Sequence, residues 1–356
     1  MDTEQRDFLE ALLTTPTPSG FERAGQGTWL DYVEPFADEL RTDAYGNAVA
    51  VHHGSDDVDL ELAFAGHADE IGLMVRNITE DGFIQLTGVG GADKTVTRGQ
   101  QVTVHADEPI SGVIGQTAIH LRDRTNGEDV DDIANQHVDI GVDSKEDAEE
   151  LVEIGDPITI DTSITTLSET RLTARGMDNR IGVWAAAEAL RRAVERDADA
   201  TIYAIATVQE EVGLKGAQMV GFDIAPDAYF VVDVTHATDT PAVPGEASTA
   251  VTIGDGPVVA RGSTNHPALV ERLRSVADDE SIDIQLQAAG SRTGTDADAF
   301  YTSNGGAPAV NVGLPNRYMH TPVELIDTDD LEDVAALLGA VGGETDTLVT
   351  DLLTNN

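Results

Sequence analysis

The sequence contains no cysteine, which excludes disulfides, thiolate metal sites and thiol nucleophiles. It is almost as poor in lysine, with only Lys94, Lys145 and Lys215. Basic residues number 21 against 65 acidic ones, a formal net charge of -44. A surface of that sign repels nucleic acid and anionic membranes, and at low ionic strength it repels itself. No apolar run approaches the ~20 residues of a membrane span, and the charged start Met1-Asp-Thr-Glu-Gln-Arg-Asp7 has no signal-peptide pattern. A soluble, cytoplasmic protein is the expectation. The chain also lacks a Gly-x-Ser-x-Gly elbow and the Gly-Lys-Ser/Thr of a P-loop, so serine hydrolysis and nucleotide binding have no support.

What is present is a chain of 356 residues, 40% hydrophobic, long enough for two domains or for one large domain with an insertion. Its acidic residues are spread through apolar-periodic sequence instead of being blocked in a tail, which reads as adaptation to molar salt. At ~1 M salt the Debye length is ~3 Å, and the self-repulsion of such a surface is screened.

The pattern predicts helices over Phe8–Leu13 and Phe21–Leu40, separated by the turn cluster Pro16-Thr-Pro-Ser-Gly20. Strands follow over Ala48–His52 and Leu60–Ala65, the second running into Gly66-His67-Ala68-Asp69-Glu70. From Met74 to Ile160 the texture changes to short alternating runs punctuated by glycine, the pattern of a small β-barrel or sandwich inserted between two halves of an α/β fold. Within it, Leu121–Gln136 is polar and acid-rich and reads as a mobile loop. The α/β pattern resumes with Asp178 at the head of an alanine-rich helix, Ile181–Val194, where the acid by itself would serve as an N-cap. Strands over Ile202–Val208, Asp227–Thr235, Pro257–Arg261, Ile282–Leu286 and Ala307–Leu314 alternate with helices over Pro267–Asp279 and Asp327–Gly339 and one from Thr345 to the end. The loop Gly290-Ser-Arg-Thr-Gly-Thr-Asp296 opens a further helix, and His236 and Asp239 read as loop residues.

Chemistry collects where strands end. The apolar run Ile202–Val208 delivers Glu210 and Glu211 into a turn at Gly213, and the crevice outside the carboxyl ends of strands is where open α/β sheets bind ligands. Neighbouring strand residues point opposite ways, so one glutamate can bind a metal while the other acts as a base. Asp233 lies inside an apolar run, a costly place for a carboxylate unless it is paired or bound to metal. His67 and His320 also follow strands. Two histidines and several carboxylates without sulfur form a ligand set for zinc, cobalt or manganese. They exceed the needs of one ion and fit a pair sharing one acid, an arrangement suited to amide hydrolysis.

Seven motifs, in order, carry a resemblance over nearly the whole chain: Pro18-Ser-Gly-Phe-Glu22, His67-Ala-Asp-Glu-Ile-Gly72, Met177-Asp-Asn-Arg180, Val208-Gln-Glu-Glu-Val-Gly213, Asp233-Val-Thr235, Gly294-Thr-Asp-Ala297 and Arg317-Tyr-Met-His320. With them the sequence resembles the TET-type dinuclear metallo-aminopeptidases, which include glutamyl and deblocking aminopeptidases, and looks like a halophilic member. The resemblance implies a three-layer α/β/α peptidase domain with a mixed sheet, formed by residues 1–73 and 161–356. It also implies an inserted β-barrel of PDZ-like type at 74–160 that mediates oligomerisation. One of two divalent ions would be held by His67 and Asp233 and the other by Glu211 and His320, with Asp178 bridging. Glu210 would be the general base, and Asp69 would orient His67. The family further implies a tetrahedral dodecamer acting on short peptides, with zinc, cobalt or manganese as the metal. The chain departs from the usual pattern at Ala68, where a bulkier residue is common, and at His236 beside the second metal-site strand. Competing functions are a dinuclear carboxypeptidase or N-deacylase, which would accept blocked N-termini, and an inactive assembly protein. A glycosidase would leave the histidines without a role. A preference for acidic N-terminal residues would need a basic pocket residue, for which Arg292 is a candidate by position.

Overall fold

The computed structural model describes residues 1–55, 57–122, 130–241, 243 and 250–343. The chain opens with α1 (Thr3–Thr14), α2 (Arg23–Val33), β1 (Glu39–Thr42), β2 (Ala48–His52) and β3 (Glu61–His67). Asp2 starts α1 through a capping box: its carboxylate accepts from the Gln5 backbone N–H, and the Gln5 side chain accepts from that of Asp2. The expected helix over Phe21–Leu40 is therefore too long. Pro35 sits in a single 3-10 turn after α2, and Leu40 belongs to an edge strand with alternating exposure.

The next segment gives β4 (Gly72–Ile78), β5 (Ile84–Val89), β6 (Gln101–His105), β7 (Pro109–Ile114), β8 (His137–Asp139), α3 (Lys145–Glu149) and β9 (Pro157–Ile160). Its strands close into an antiparallel barrel in the order β4-β5-β8-β7-β6-β9, around a core that includes Val75, Leu86, Val104 and Ile158. Part of the expected mobile loop, residues 123–129, lies outside the described residues. Its end is held in place: Gln136 is buried, accepts from the Thr97 hydroxyl and donates to the Lys94 and Asp131 carbonyls.

The remainder runs β10 (Thr165–Thr166), β11 (Arg171–Ala174), α4 (Met177–Glu195), β12 (Thr201–Thr207), α5 (Lys215–Asp223), β13 (Ala228–His236), β14 (Val258–Arg261), α6 (Pro267–Glu280), β15 (Gln285–Ala288), α7 (Ala297–Phe300), β16 (Ala309–Asn316), β17 (Glu324–Asp327) and α8 (Thr328–Gly343). The strand expected at Ile282 starts three residues later, because Ile282 and Ile284 pack against the core before the chain enters the sheet. The helix expected from Thr345 onward lies outside the described residues.

Eight strands form one mixed sheet in the order β1-β2-β12-β3-β13-β16-β14-β15. At its centre β12, β3, β13 and β16 run parallel. Those strands are buried on both faces, which is why they read as continuous apolar runs. Alternate residues divide between two cores. Leu62 and Phe64 face the layer of α1, α2, α4, α6 and α8, whereas Ala63 and Ala65 face α5 and α7. This is a three-layer α/β/α architecture with a mixed sheet, plus the six-stranded barrel. A small sheet of β10, β11 and β17 carries the chain past the head of α4.

Candidate active site

The parallel strands β3, β12 and β13 end at one edge of the sheet, and the expected site residues gather there. His67 is the last residue of β3, Asp233 sits near the end of β13, and Glu210 and Glu211 occupy the turn after β12. Being beyond the strand, the two glutamates are not fixed on opposite faces by strand alternation. Asp178 stands at the head of α4 but does not cap it: the N-cap is Gly176, and Asp178 itself has non-helical φ/ψ of -73° and 105°. That kink turns its carboxylate toward both histidines. Its Oδ1 lies 3.1 Å from His67 Nε2 and its Oδ2 lies 3.3 Å from His320 Nε2. His320, in the loop after β16 and in the left-handed region at φ 62°, reaches Glu211 Oε1 at 3.5 Å. Asp233 Oδ1 and Glu210 Oε2 lie 3.8 and 3.9 Å from His67 Nε2.

Donor atoms of His67, Asp178 and Asp233 form one compact group, those of Asp178, Glu211 and His320 a second, and those of His67, Glu210 and Glu211 a third that overlaps the other two. Asp178 belongs to the first and second. These are hard oxygen and borderline nitrogen donors, suited to zinc, cobalt or manganese. The electrostatics also call for cations. Burial pushes the Glu210 carboxyl up to about 10, with Asp233, Asp296 and Glu211 adding to the rise against the pull of His67. Burial likewise raises Asp233 well above the ordinary range. Hydrogen bonds to Asp178 and Glu211 raise His320 to about 11. Burial opposes ionisation of His67, yet bonding to Asp178 and Asp69 keeps its pKa well above the usual value. Protons are thus retained where carboxylates crowd, and divalent ions would supply the same positive charge.

Asp69 is fully buried and works as a hub. Its Oδ1 accepts from the Glu210 N–H at 3.0 Å and lies 3.4 Å from His67 Nδ1. Its Oδ2 accepts from the Ser19 hydroxyl at 2.6 Å and the Glu211 N–H at 3.2 Å. Its own carbonyl is the nearer partner of His67 Nδ1, at 3.1 Å. From the same Pro18–Glu22 motif, Glu22 accepts from the backbone of Gly20 and of Gln209, the left-handed residue before Glu210. The turn bearing the two glutamates is therefore held from both sides.

The cluster opens into a cleft of about 720 Å³, whose wall includes Val234, Thr235, His236, Met319 and the loop Ser291–Thr295 with Arg292. His236 is thus the exposed end of β13 at the cleft, not part of a loop, and Asp239 pairs with Arg317.

A profile of the M42 glutamyl aminopeptidase family matches residues 46–337. The chain belongs to this family. It is 33% identical over 343 residues to the lysyl aminopeptidase of Pyrococcus furiosus, covering 94% of this chain and 96% of that one. In fold it is similar to a TET aminopeptidase from a marine sediment Thaumarchaeota archaeon, with a TM-score of 0.90 and 30% identity over 98% of this chain and 100% of that one. It is also similar to the Pyrococcus horikoshii TET1 peptidase, described as assembling into a tetrahedron or a large octahedral shell, with a TM-score of 0.85 and 29% identity over 96% of this chain and 100% of that one. The protein is an aminopeptidase, a hydrolase of peptides. No helix among the described residues is long and apolar enough to cross a membrane.

Several residues of this M42 site have contacts that the sequence alone does not assign, some of them inside the motifs above. Glu324, buried on β17, accepts from the Asp178 N–H through Oε2 at 2.9 Å and from the His320 N–H through Oε1 at 2.8 Å. Burial, with Asp178 alongside, raises its pKa to about 8. An acid between Val323 and Leu325 was the available signal, the one that singles out Asp233. Asp296 is buried behind the cleft, with Oδ2 2.5 Å from the Thr207 hydroxyl and Oδ1 without a partner. Arg180 and Arg175 both pair with buried Glu70, fixing the approach to α4. The last contact comes from the barrel: Gly91 lies against His320.

Proposed function

We propose that this aminopeptidase removes residues from the N-termini of short peptides with two divalent metal ions and Glu210 as the proton carrier. The observation supporting it is Asp178, whose two oxygens face different histidines and so join two donor groups through one carboxylate. His67, Asp233 and Asp178 would hold one ion, and Glu211, His320 and Asp178 the other. Zinc, cobalt or manganese held there would polarise the scissile carbonyl and lower the pKa of the attacking water.

The chain's own groups account for the rest. Glu210, half-buried at the cleft and close to His67, takes the proton from the water at its carboxylate and delivers it to the nitrogen of the leaving amine. Asp69 holds His67 and the Glu210 backbone in register from behind. The free amino group of the substrate would sit among the acidic groups of the cleft, which sets the cut one residue from the end. Arg292 and His236 are the basic groups on the cleft wall that could meet a substrate side chain.

For the whole particle we propose a tetrahedral dodecamer with enclosed sites, supported by the similar TET1 peptidase, which forms a dodecamer and assembles into a tetrahedron or a large octahedral shell. In it the barrel insertion at 74–160 would serve the subunit contacts, and residues 1–73 with 161–356 would form the peptidase domain. The net charge of -44 supports work in a salt-rich cytoplasm.

The test uses one peptide with a free and with an acetylated N-terminus, in molar KCl with cobalt or zinc and again with chelator, read by mass spectrometry. The expected result is a ladder of single-residue losses from the free peptide alone, abolished by chelator. Cleavage of the acetylated peptide would replace this reading with a deacylase or carboxypeptidase.

A further inference from the structure

The two histidines of the centre are anchored differently. His67 Nδ1 lies 3.1 Å from the carbonyl of Asp69, two residues along its own chain. His320 Nδ1 lies 3.2 Å from the carbonyl of Gly91, which is 229 positions away in sequence and follows barrel strand β5. A carbonyl can only accept, so this contact requires the proton on Nδ1 of His320. Nε2 is then the nitrogen turned toward Asp178 at 3.3 Å and Glu211 at 3.5 Å.

The approach is close enough to demand glycine. A Cβ on Gly91 would stand 2.6 Å from His320 Nδ1 and 2.7 Å from its Cε1. Gly90 has φ 64°, and a Cβ there would stand 3.0 Å from Glu211 Cβ and 3.2 Å from its Oε2. Two consecutive barrel residues thus lie against both residues that share the second donor group with Asp178.

We infer that the Gly90–Gly91 turn of the barrel is a positioning element for the His320–Glu211 metal site, with the Gly91 carbonyl setting which ring nitrogen of His320 meets the ion. The barrel insertion leaves the sheet directly after His67-Ala-Asp-Glu70 and brings this turn back against Glu211 and His320. The site is a composite of both structural units. The backbones of Glu211 and His320 are held by Asp69 and by Glu324 on β17, and the insertion adds the contact to the His320 ring. The inference rests on the two-ion reading above and adds a role for the barrel that assembly does not require.

Gly91→Ala separates ligand position from folding. Gly91 has no positive φ, so alanine brings no backbone strain, and the clash falls on the far end of a side chain. A small cavity of about 50 Å³ borders His320, its wall including Ile71, Leu73, Ala92, Val96, Ile158 and Pro322, so packing around the ring is not complete. Gly88→Ala, near the end of β5 and three residues before Gly91, is the control: its Cβ would meet only Ile133 and Ala92 at 3.6 and 3.7 Å, ordinary contact.

The experiment is a cobalt titration of apo wild type, Gly88→Ala and Gly91→Ala, read by metal content and by the visible absorption of bound cobalt. Wild type and Gly88→Ala are expected to bind two ions per chain. Gly91→Ala is expected to keep one ion at wild-type affinity while binding of the other weakens about 10- to 100-fold, the usual effect of losing a partner behind a ligand. Two ions at wild-type affinity with an unchanged spectrum in Gly91→Ala would overturn the inference and leave the two-ion reading standing. Fewer than two ions in wild type would instead remove the reading beneath it. If Gly91→Ala does not fold, solid-state NMR of zinc-loaded, 15N-histidine-labelled wild type decides. His320 protonated on Nδ1 and metal-bound through Nε2 is expected, and the reverse overturns the inference.

Discussion

Glu324 serves two groups with one carboxyl. One oxygen takes the backbone N–H of Asp178 and the other that of His320, so the acid that faces both histidines and one of those histidines are spaced by the same side chain. Glu324→Ala should lower activity or second-ion affinity about 10- to 100-fold. Glu324→Gln should recover only part, because its amide keeps one acceptor and turns an N–H toward the other N–H. Equal activity and equal metal affinity in all three proteins, read by turnover across a metal titration, would deny Glu324 this role. Arg292 carries a separate expectation about substrate choice. If it receives an acidic N-terminal side chain, Arg292→Ala lowers kcat/KM for peptides beginning with glutamate about tenfold, the loss of one charge-assisted bond of ~1.5 kcal/mol, and spares those beginning with leucine. An unchanged substrate ranking would remove Arg292 from specificity. The histidines and acids of the cluster were legible because few other residue types bind metal, and their places at strand ends follow from apolar periodicity. Gly91 was not, since a glycine in a turn carries no sign of which distant ring it will touch.

Among the elements, α4 joins the layers. Its central Glu188 is completely buried and collects the Gln5 side chain from α1, the Tyr32 hydroxyl from α2 and the guanidinium of Arg191 from its own next turn. Burial alone would raise this carboxyl, but the bonds from Arg191 and Tyr32 outweigh it and hold the pKa below the ordinary 4.5. A lowered folded-state value means stability that is present above the unfolded pKa and lost as pH falls through the folded one. Glu188→Ala should therefore cost about 3 kcal/mol near neutral pH, since it strands buried partners, and should flatten the acid side of the stability curve below about pH 4.5. Denaturant titrations at neutral and acid pH check both. A wild-type acid limb in the variant would show that other carboxylates carry it. Sequence periodicity found α4, α6, β2 and the four central strands, where burial on one or both faces imposes a regular pattern. It failed for β1, a half-exposed edge strand whose alternation over four residues was merged with the helix before it.

At the scale of the whole molecule the surplus of 44 negative charges governs behaviour in solution. From about 0.1 M to about 1 M KCl the Debye length falls from ~10 Å to ~3 Å, so the melting temperature should rise across that range. A flat or falling dependence would contradict salt adaptation. The mixed sheet and the barrel were both legible as textures, one of long apolar runs and the other of short alternating ones. Their meeting at Gly91 and His320 was not, because nothing local records contacts across 229 positions. The central claim is that Glu210 moves the proton while other residues hold the ions, and the most direct test measures metal content and turnover in one preparation of Glu210→Gln. The account predicts two ions per chain and turnover reduced about a hundred- to ten-thousand-fold, the range supplied by a positioned general base. Near-normal turnover in a fully loaded variant would contradict it.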